Sequence, residues 1–97
     1  MENLVFEYNG SNNIKRNSFV GLNKIKDVEI SFHLPKDDIS KVTIDSEKNT
    51  DEKLWKSLLD RFFLINDIHA DIQINDFGAK PSTITFRLNE ALELACE

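Results

Sequence analysis

The sequence predicts an α+β domain: a mostly antiparallel sheet of about five strands with two helices packed on one face. Three observations carry this expectation. Short runs in which apolar and polar residues alternate, as a half-buried strand requires, fill much of the first half of the chain. Two later segments, one around Trp55 and one ending near Ala95, switch to helical spacing. The order of strands first, then helix, strand and helix, is that of a two-layer α+β unit. At 97 residues the chain has room for one such core and no second lobe, so residues 1–97 form a single domain.

The elements follow in chain order. Leu4, Phe6 and Tyr8 alternate with Asn3 and Glu7 as a first strand. Asn9 to Asn17, polar and containing Gly10, reads as a loop, and Phe19 to Leu22 as a second short strand. Val28, Ile30, Phe32 and Leu34 oppose Glu29, Ser31 and His33 in the clearest alternation of the chain. Pro35 ends it, because proline cannot donate to a ladder. After a turn at Lys36-Asp37-Asp38, Val42 and Ile44 mark another strand, and Asp45 to Asp51 a polar connection. Thr50 is the expected N-cap of the first helix, with Asp51 and Glu52 in its first turn. Leu54, Trp55, Leu58, Leu59, Phe62 and Phe63 make its apolar stripe, which is expected to supply the largest part of the core, and Glu52 is placed to pair with Lys56. Ile68, Ala70, Ile72 and Ile74 alternate again as one strand. Beyond the Asp76–Pro81 turn, Ile84, Leu88, Ala91, Leu92 and Ala95 form the second helical stripe, although Thr83 to Phe86 also fits a local strand.

Composition narrows the function classes. The net charge is −5, which argues against nucleic acid or an anionic membrane as a main partner, since both reward clustered Lys and Arg. The acid is uneven: residues 1–48 carry seven bases and eight acids, residues 49–97 five and nine. The first half is therefore the better place for an anion-binding patch. A single cysteine, Cys96, leaves no internal disulfide and no multi-cysteine metal site. Neither a charged leader with an apolar core nor a bilayer-length apolar run is present, so the chain reads as cytoplasmic and Asn9-Gly10-Ser11 as a chance match to a glycosylation pattern.

No catalytic constellation stands out. Asp76-Phe77-Gly78 matches three letters of a kinase signature, but the Gly-rich loop and catalytic His-Arg-Asp that signature needs are absent. A turn is the physical reading, with Gly78 taking an unusual backbone angle and Pro81 suited to a first helical turn. His33 and His69 fall on polar strand faces without the three or four convergent ligands of a zinc or iron site. Asp37-Asp38 and Asp45 with Glu47 read as solvated turns. Asp45-Ser46 has the Asp-Ser pair of helical acyl carriers, yet Glu47 replaces their next apolar residue and the strand pattern conflicts with a four-helix fold.

One resemblance names a chemistry. Its strongest block is Ile74-Asn75-Asp76-Phe77-Gly78-Ala79 with Pro81, followed by Arg87-Leu88 and Ala91-Leu92. Supporting blocks are Met1-Glu2, Leu4, Phe6 and Tyr8, then Val20-Gly21, Asp27-Val28-Glu29-Ile30 and Arg61-Phe62-Phe63. Taken together, these residues resemble, nearly end to end, the malonate decarboxylase acyl-carrier (delta) subunit family, which is related to the citrate lyase carrier. The resemblance implies a non-catalytic subunit whose serine bears a triphosphoribosyl-dephospho-coenzyme A arm holding acetyl or malonyl as a thioester. It also implies acyltransferase and carboxylase-like subunits as partners. In that family the serine lies in a Gly-Ser-Gly-Asp turn before a strand, where this chain reads Lys24-Ile25-Lys26-Asp27. Ile25 has no oxygen to form the phosphodiester, so no arm is expected on this chain at that position. Ser18 and Ser31 are the alternative hydroxyls. Without an arm the chain would be a scaffold, with Lys24 and Lys26 offered to anionic groups, or a stand-alone interaction module.

Overall fold

The computed structural model describes residues 2–21, 28–46 and 51–97. The strands are β1 (Glu2–Tyr8), β2 (Asn12–Asn13), β3 (Ser18–Val20), β4 (Val28–His33), β5 (Ser40–Ser46), β6 (Ile68–His69) and β7 (Asp71–Asp76). The helices are α1 (Glu52–Ile65) and α2 (Pro81–Ala95). Five strands form one sheet in the order β1-β5-β7-β4-β3, and β2 pairs with β6 in a second, two-stranded unit. Three of the four pairings in the large sheet are antiparallel; β5 and β7 run parallel and are joined through α1. The expected mostly antiparallel α+β architecture is the one observed.

Period-two burial decides which face the helices cover. Val28, Ile30 and Phe32 of β4, Val42 and Ile44 of β5, and Ile72 and Ile74 of β7 are all buried. The alternating residues Glu29, Ser31 and His33, Lys41, Thr43 and Asp45, and Asp71, Gln73 and Asn75 line the opposite, uncovered face. Against the apolar face α1 sets Trp55, Leu59 and Phe62, and α2 sets Ile84, Leu88, Ala91 and Ala95. α2 lies over β4 and β3, and α1 contacts β1. The strands contribute more buried apolar residues than α1 does, so the aromatic helix is not the largest part of the core.

Several elements depart from the expectation for identifiable reasons. The run Ile68 to Ile74 breaks at Ala70 because the buried Ser40 hydroxyl takes the backbone there. It donates to the Ile68 carbonyl at 3.2 Å and accepts from the Ala70 amide at 3.0 Å. The Asn9–Asn17 segment is not merely loop. Its residues Asn12 and Asn13 pair parallel with Ile68 and His69, and Ile14 is buried. Gly10 is required there, since a Cβ would sit 1.6 Å from the Ile68 carbonyl oxygen. The same segment is tied to the end of α2 by the Lys15 and Arg16 amides, which donate to the Ala95 carbonyl at 2.9 and 3.2 Å. His69 pins two connections, one nitrogen 2.7 Å from Asn13 Oδ1 and the other 2.6 Å from the Asp37 carbonyl.

At the start of α1 the cap is Asp51, whose Oδ1 accepts from the Lys53 and Leu54 amides at 3.1 and 3.3 Å. Thr50, expected in that role, lies outside the described residues. Lys56 pairs at 3.0 Å with Asp60 rather than with Glu52. Thr83 to Phe86 is helix, within α2. Asp45 and Ser46 end a strand, which removes the helix start that a helical-carrier reading requires.

The packing makes one stability contrast testable. Leu59 is fully buried and Leu64 is 85% exposed. Leu59→Ala is expected to lower the unfolding free energy by about 3 kcal/mol, and Leu64→Ala to change it by no more than about 0.5 kcal/mol, in urea titrations followed by circular dichroism.

Candidate functional site

Of the two segments singled out by the sequence, Asn75 to Pro81 is described, and it begins at the end of the sheet where β4 starts. Lys24, Ile25, Lys26 and Asp27 lie outside the described residues. Their described neighbours are Gly21, just past β3, and Val28, the first residue of β4. Val28 pairs with Asp76, so β4 begins beside the turn into α2.

That turn is built on the Asp76 carboxylate, which is 1% exposed. Its Oδ1 accepts from the Gly78 amide at 3.1 Å and the Ala79 amide at 2.9 Å, and its Oδ2 from the Ser46 hydroxyl at 3.0 Å. Gly78 has φ 102°, the left-handed region that side chains disfavour, and Pro81 opens α2 where no amide donor is needed. Asn75, on the uncovered face, donates to Glu29 of β4 at 3.4 Å, and Phe77 is half-buried in the turn. The Asn75-Asp76-Phe77-Gly78-Pro81 block thus joins β7 to β5, to β4 and to α2. The Ser46 link was not legible in the sequence, where Ser46 stood only in an Asp-Ser pair whose helical-carrier pattern Glu47 breaks.

The alternative hydroxyls stand elsewhere. Ser18 and Ser31 are each three residues from the described ends of the β3–β4 connection, about 10 Å along their strands. Ser18 Oγ donates to the Ala91 carbonyl at 2.8 Å and is half-buried under α2. Ser31 projects from the uncovered face and lies 3.2 Å from the His33 ring. Neither is brought to the end where Val28 meets Asp76. His33 and His69 are not brought together, and no group of three or more metal-ligating side chains exists among the described residues. Cys96 is exposed.

Two further features were not legible in the sequence. Tyr8 stacks on Phe63, ring centroids 4.3 Å apart, and donates its hydroxyl to Asp60 at 2.7 Å. Burial, together with this carboxylate, pushes the Tyr8 hydroxyl pKa up. The hydrogen bond from Tyr8, and then that from Lys56, hold the Asp60 carboxyl below its ordinary value. The other feature is a groove of roughly 390 Å³ between the helices, lined by Leu54, Leu58 and Arg61 of α1 and by Pro81 and Thr85 of α2 among others.

Comparison with known proteins places these features in a family context. A family model described as "Malonate decarboxylase delta subunit (MdcD)" matches residues 15–95. The malonate decarboxylase acyl carrier protein of Klebsiella pneumoniae is 26% identical over 96 residues, covering 98% of this chain and 97% of the relative. That of Stutzerimonas stutzeri is 29% identical over 94 residues, covering 96% and 95%. A chain in the crystal structure of a Pseudomonas malonate decarboxylase hetero-tetramer in complex with malonate superposes with a TM-score of 0.88 at 25% identity, covering 98% of this chain and 99% of that one.

Two outcomes follow from the geometry. Asp76→Ala strands three donors in a buried turn and is expected to cost about 2–4 kcal/mol of stability, with Asp76→Asn, which keeps an acceptor for the turn amides, costing less, both read by denaturant melts. Asp60, with its folded pKa depressed, contributes stability that is complete above its ordinary value of 3.8 and is lost as the pH falls through the folded value. The stability difference between wild type and Tyr8→Phe is therefore expected to be present at neutral pH and to shrink below about pH 4 in urea melts.

Proposed function

The chain belongs to the malonate decarboxylase delta-subunit family, and from that premise we propose that it is a non-catalytic subunit occupying the carrier's place in a decarboxylase complex without bearing the arm. The observation that carries this reading is Ile25. The position matching the family's modified serine reads Lys24-Ile25-Lys26-Asp27, and none of these four side chains has a hydroxyl to esterify. The residues present do not fit the prosthetic group there, so no acyl-transfer step runs through it.

The alternative hydroxyls add support. Ser18 is committed to the Ala91 carbonyl, and a bulky phosphodiester would have to part α2 from β3 to use it. Ser31 sits on a regular strand, its backbone paired on both sides by β3 and β7, without the glycine-flanked exposure a modifying enzyme needs. Lys24 and Lys26 put two cations in the connection where the family carries an anionic arm. They suit anionic phosphates or an acidic surface on a partner.

The conserved architecture and the changed turn divide the work in a simple way. The fold keeps the shape through which a delta-type subunit meets acyltransferase and carboxylase-like partners, and the chemistry of the thioester lies with another carrier or is absent. The measurement is the intact mass of the chain purified from its own host, with peptide mapping across residues 17–34. An unmodified mass from cells metabolising malonate is expected. A mass increment equal to the triphosphoribosyl-dephospho-coenzyme A group on Ser18 or Ser31 would restore the carrier role and move its site.

A further inference from the structure

The groove between α1 and α2 has a composition unlike the rest of the surface. Its walls are apolar at Leu54, Leu58, Ile65 and Pro81, and Arg61 is the only charged side chain among the described residues that line it. Among the described residues Arg61 makes no ion pair: the neighbouring carboxylate Asp60 is taken by Lys56 and Tyr8, and Glu90 by Arg87. In a chain of net charge −5 this is an apolar groove whose described lining carries one cation and no anion. Ile65 on the groove wall is 72% exposed, and Leu64, its neighbour in α1 outside the lining, is 85% exposed.

We propose that this groove seats an amphipathic segment of a partner subunit, with apolar side chains between the helices and a carboxylate on Arg61. The proposal rests on the reading that the chain works within a decarboxylase complex. Charge selects the occupant. Within the groove a carboxylate meets the Arg61 guanidinium and no acidic side chain of the described lining. Extent favours a macromolecule over a small ligand, because exposed Leu64 adds apolar surface beside the groove residue Ile65 but outside the lining. Pro81 begins α2 at the end of the sheet where Val28, the first residue of β4, meets Asp76.

The test measures binding of the purified chain to the acyltransferase and carboxylase-like subunits of its host's malonate decarboxylase, by biolayer interferometry. Arg61→Glu and Ile65→Asp alter exposed groove residues, and Lys41→Glu supplies a charge reversal on the uncovered sheet face. Circular dichroism establishes that each variant is folded. Support is a loss of at least about tenfold in affinity for both groove variants, with Lys41→Glu within about twofold of wild type. If wild type binds and both groove variants bind equally well, the groove is not the docking site while the subunit role stands. If folded wild type binds none of the subunits, both the groove assignment and the subunit role fail.

Discussion

A buried carboxylate at the end of the central strand is the constraint on which the arrangement depends. Asp76 is almost completely removed from water, a state that is costly unless its oxygens are hydrogen-bonded. Three donors meet that requirement, two from the turn that follows and one from Ser46 on the neighbouring parallel strand. The same group therefore ends β7, fixes the left-handed turn at Gly78, aims α2 across the sheet and holds β5 beside β7. Val28 pairs with Asp76, so the same residue also stands beside the start of β4. A residue that looks like part of a kinase motif in the sequence is the keystone of a turn in the structure.

What was legible in the sequence was what is periodic. The alternation from Val28 to His33 and the stripe through Trp55, Leu59 and Phe62 named both elements and their buried faces, because period and burial share one cause. What escaped depended on partners far along the chain. Nothing near Ala70 signals a break; the cause is Ser40, thirty residues earlier. Lys56 has a carboxylate four residues away on either side, and Tyr8, from another element, helps fix Asp60 as the one it meets. Asn12 and Asn13 carry no strand pattern at all, since their pairing is held by backbone groups and Asp67. At the candidate site the turn chemistry of Gly78 and Pro81 was readable from residue type, whereas its attachment through Ser46 was not.

The family likeness illustrates how differently a fold and a covalent attachment are encoded. The scaffold is specified redundantly by many apolar positions, each tolerant of a similar neighbour, and survives at 26–29% identity to curated relatives. An ester linkage depends on one oxygen at one position. Substitution can erase the second while leaving the first intact, so similarity measured over the whole chain weighs the scaffold heavily and the attachment hardly at all. Reading function from such a chain therefore turns on a short turn and on the surfaces that meet partners.

The place of β7 in the sheet has a consequence for how the chain is made. It is the middle strand in space, pairing with both β5 and β4, yet it is the last strand in sequence. During synthesis β3 can meet β4, and β1 can meet β5, while the two pairs have no common strand to join them. Each pair then leaves an edge open until residues 71–76 emerge and slot between them. Closure of the sheet is a late, long-range event, of the kind that slows folding and exposes unpaired strands to aggregation. A nascent chain halted before Asp71 would hold the β3–β4 and β1–β5 pairs without the strand that joins them.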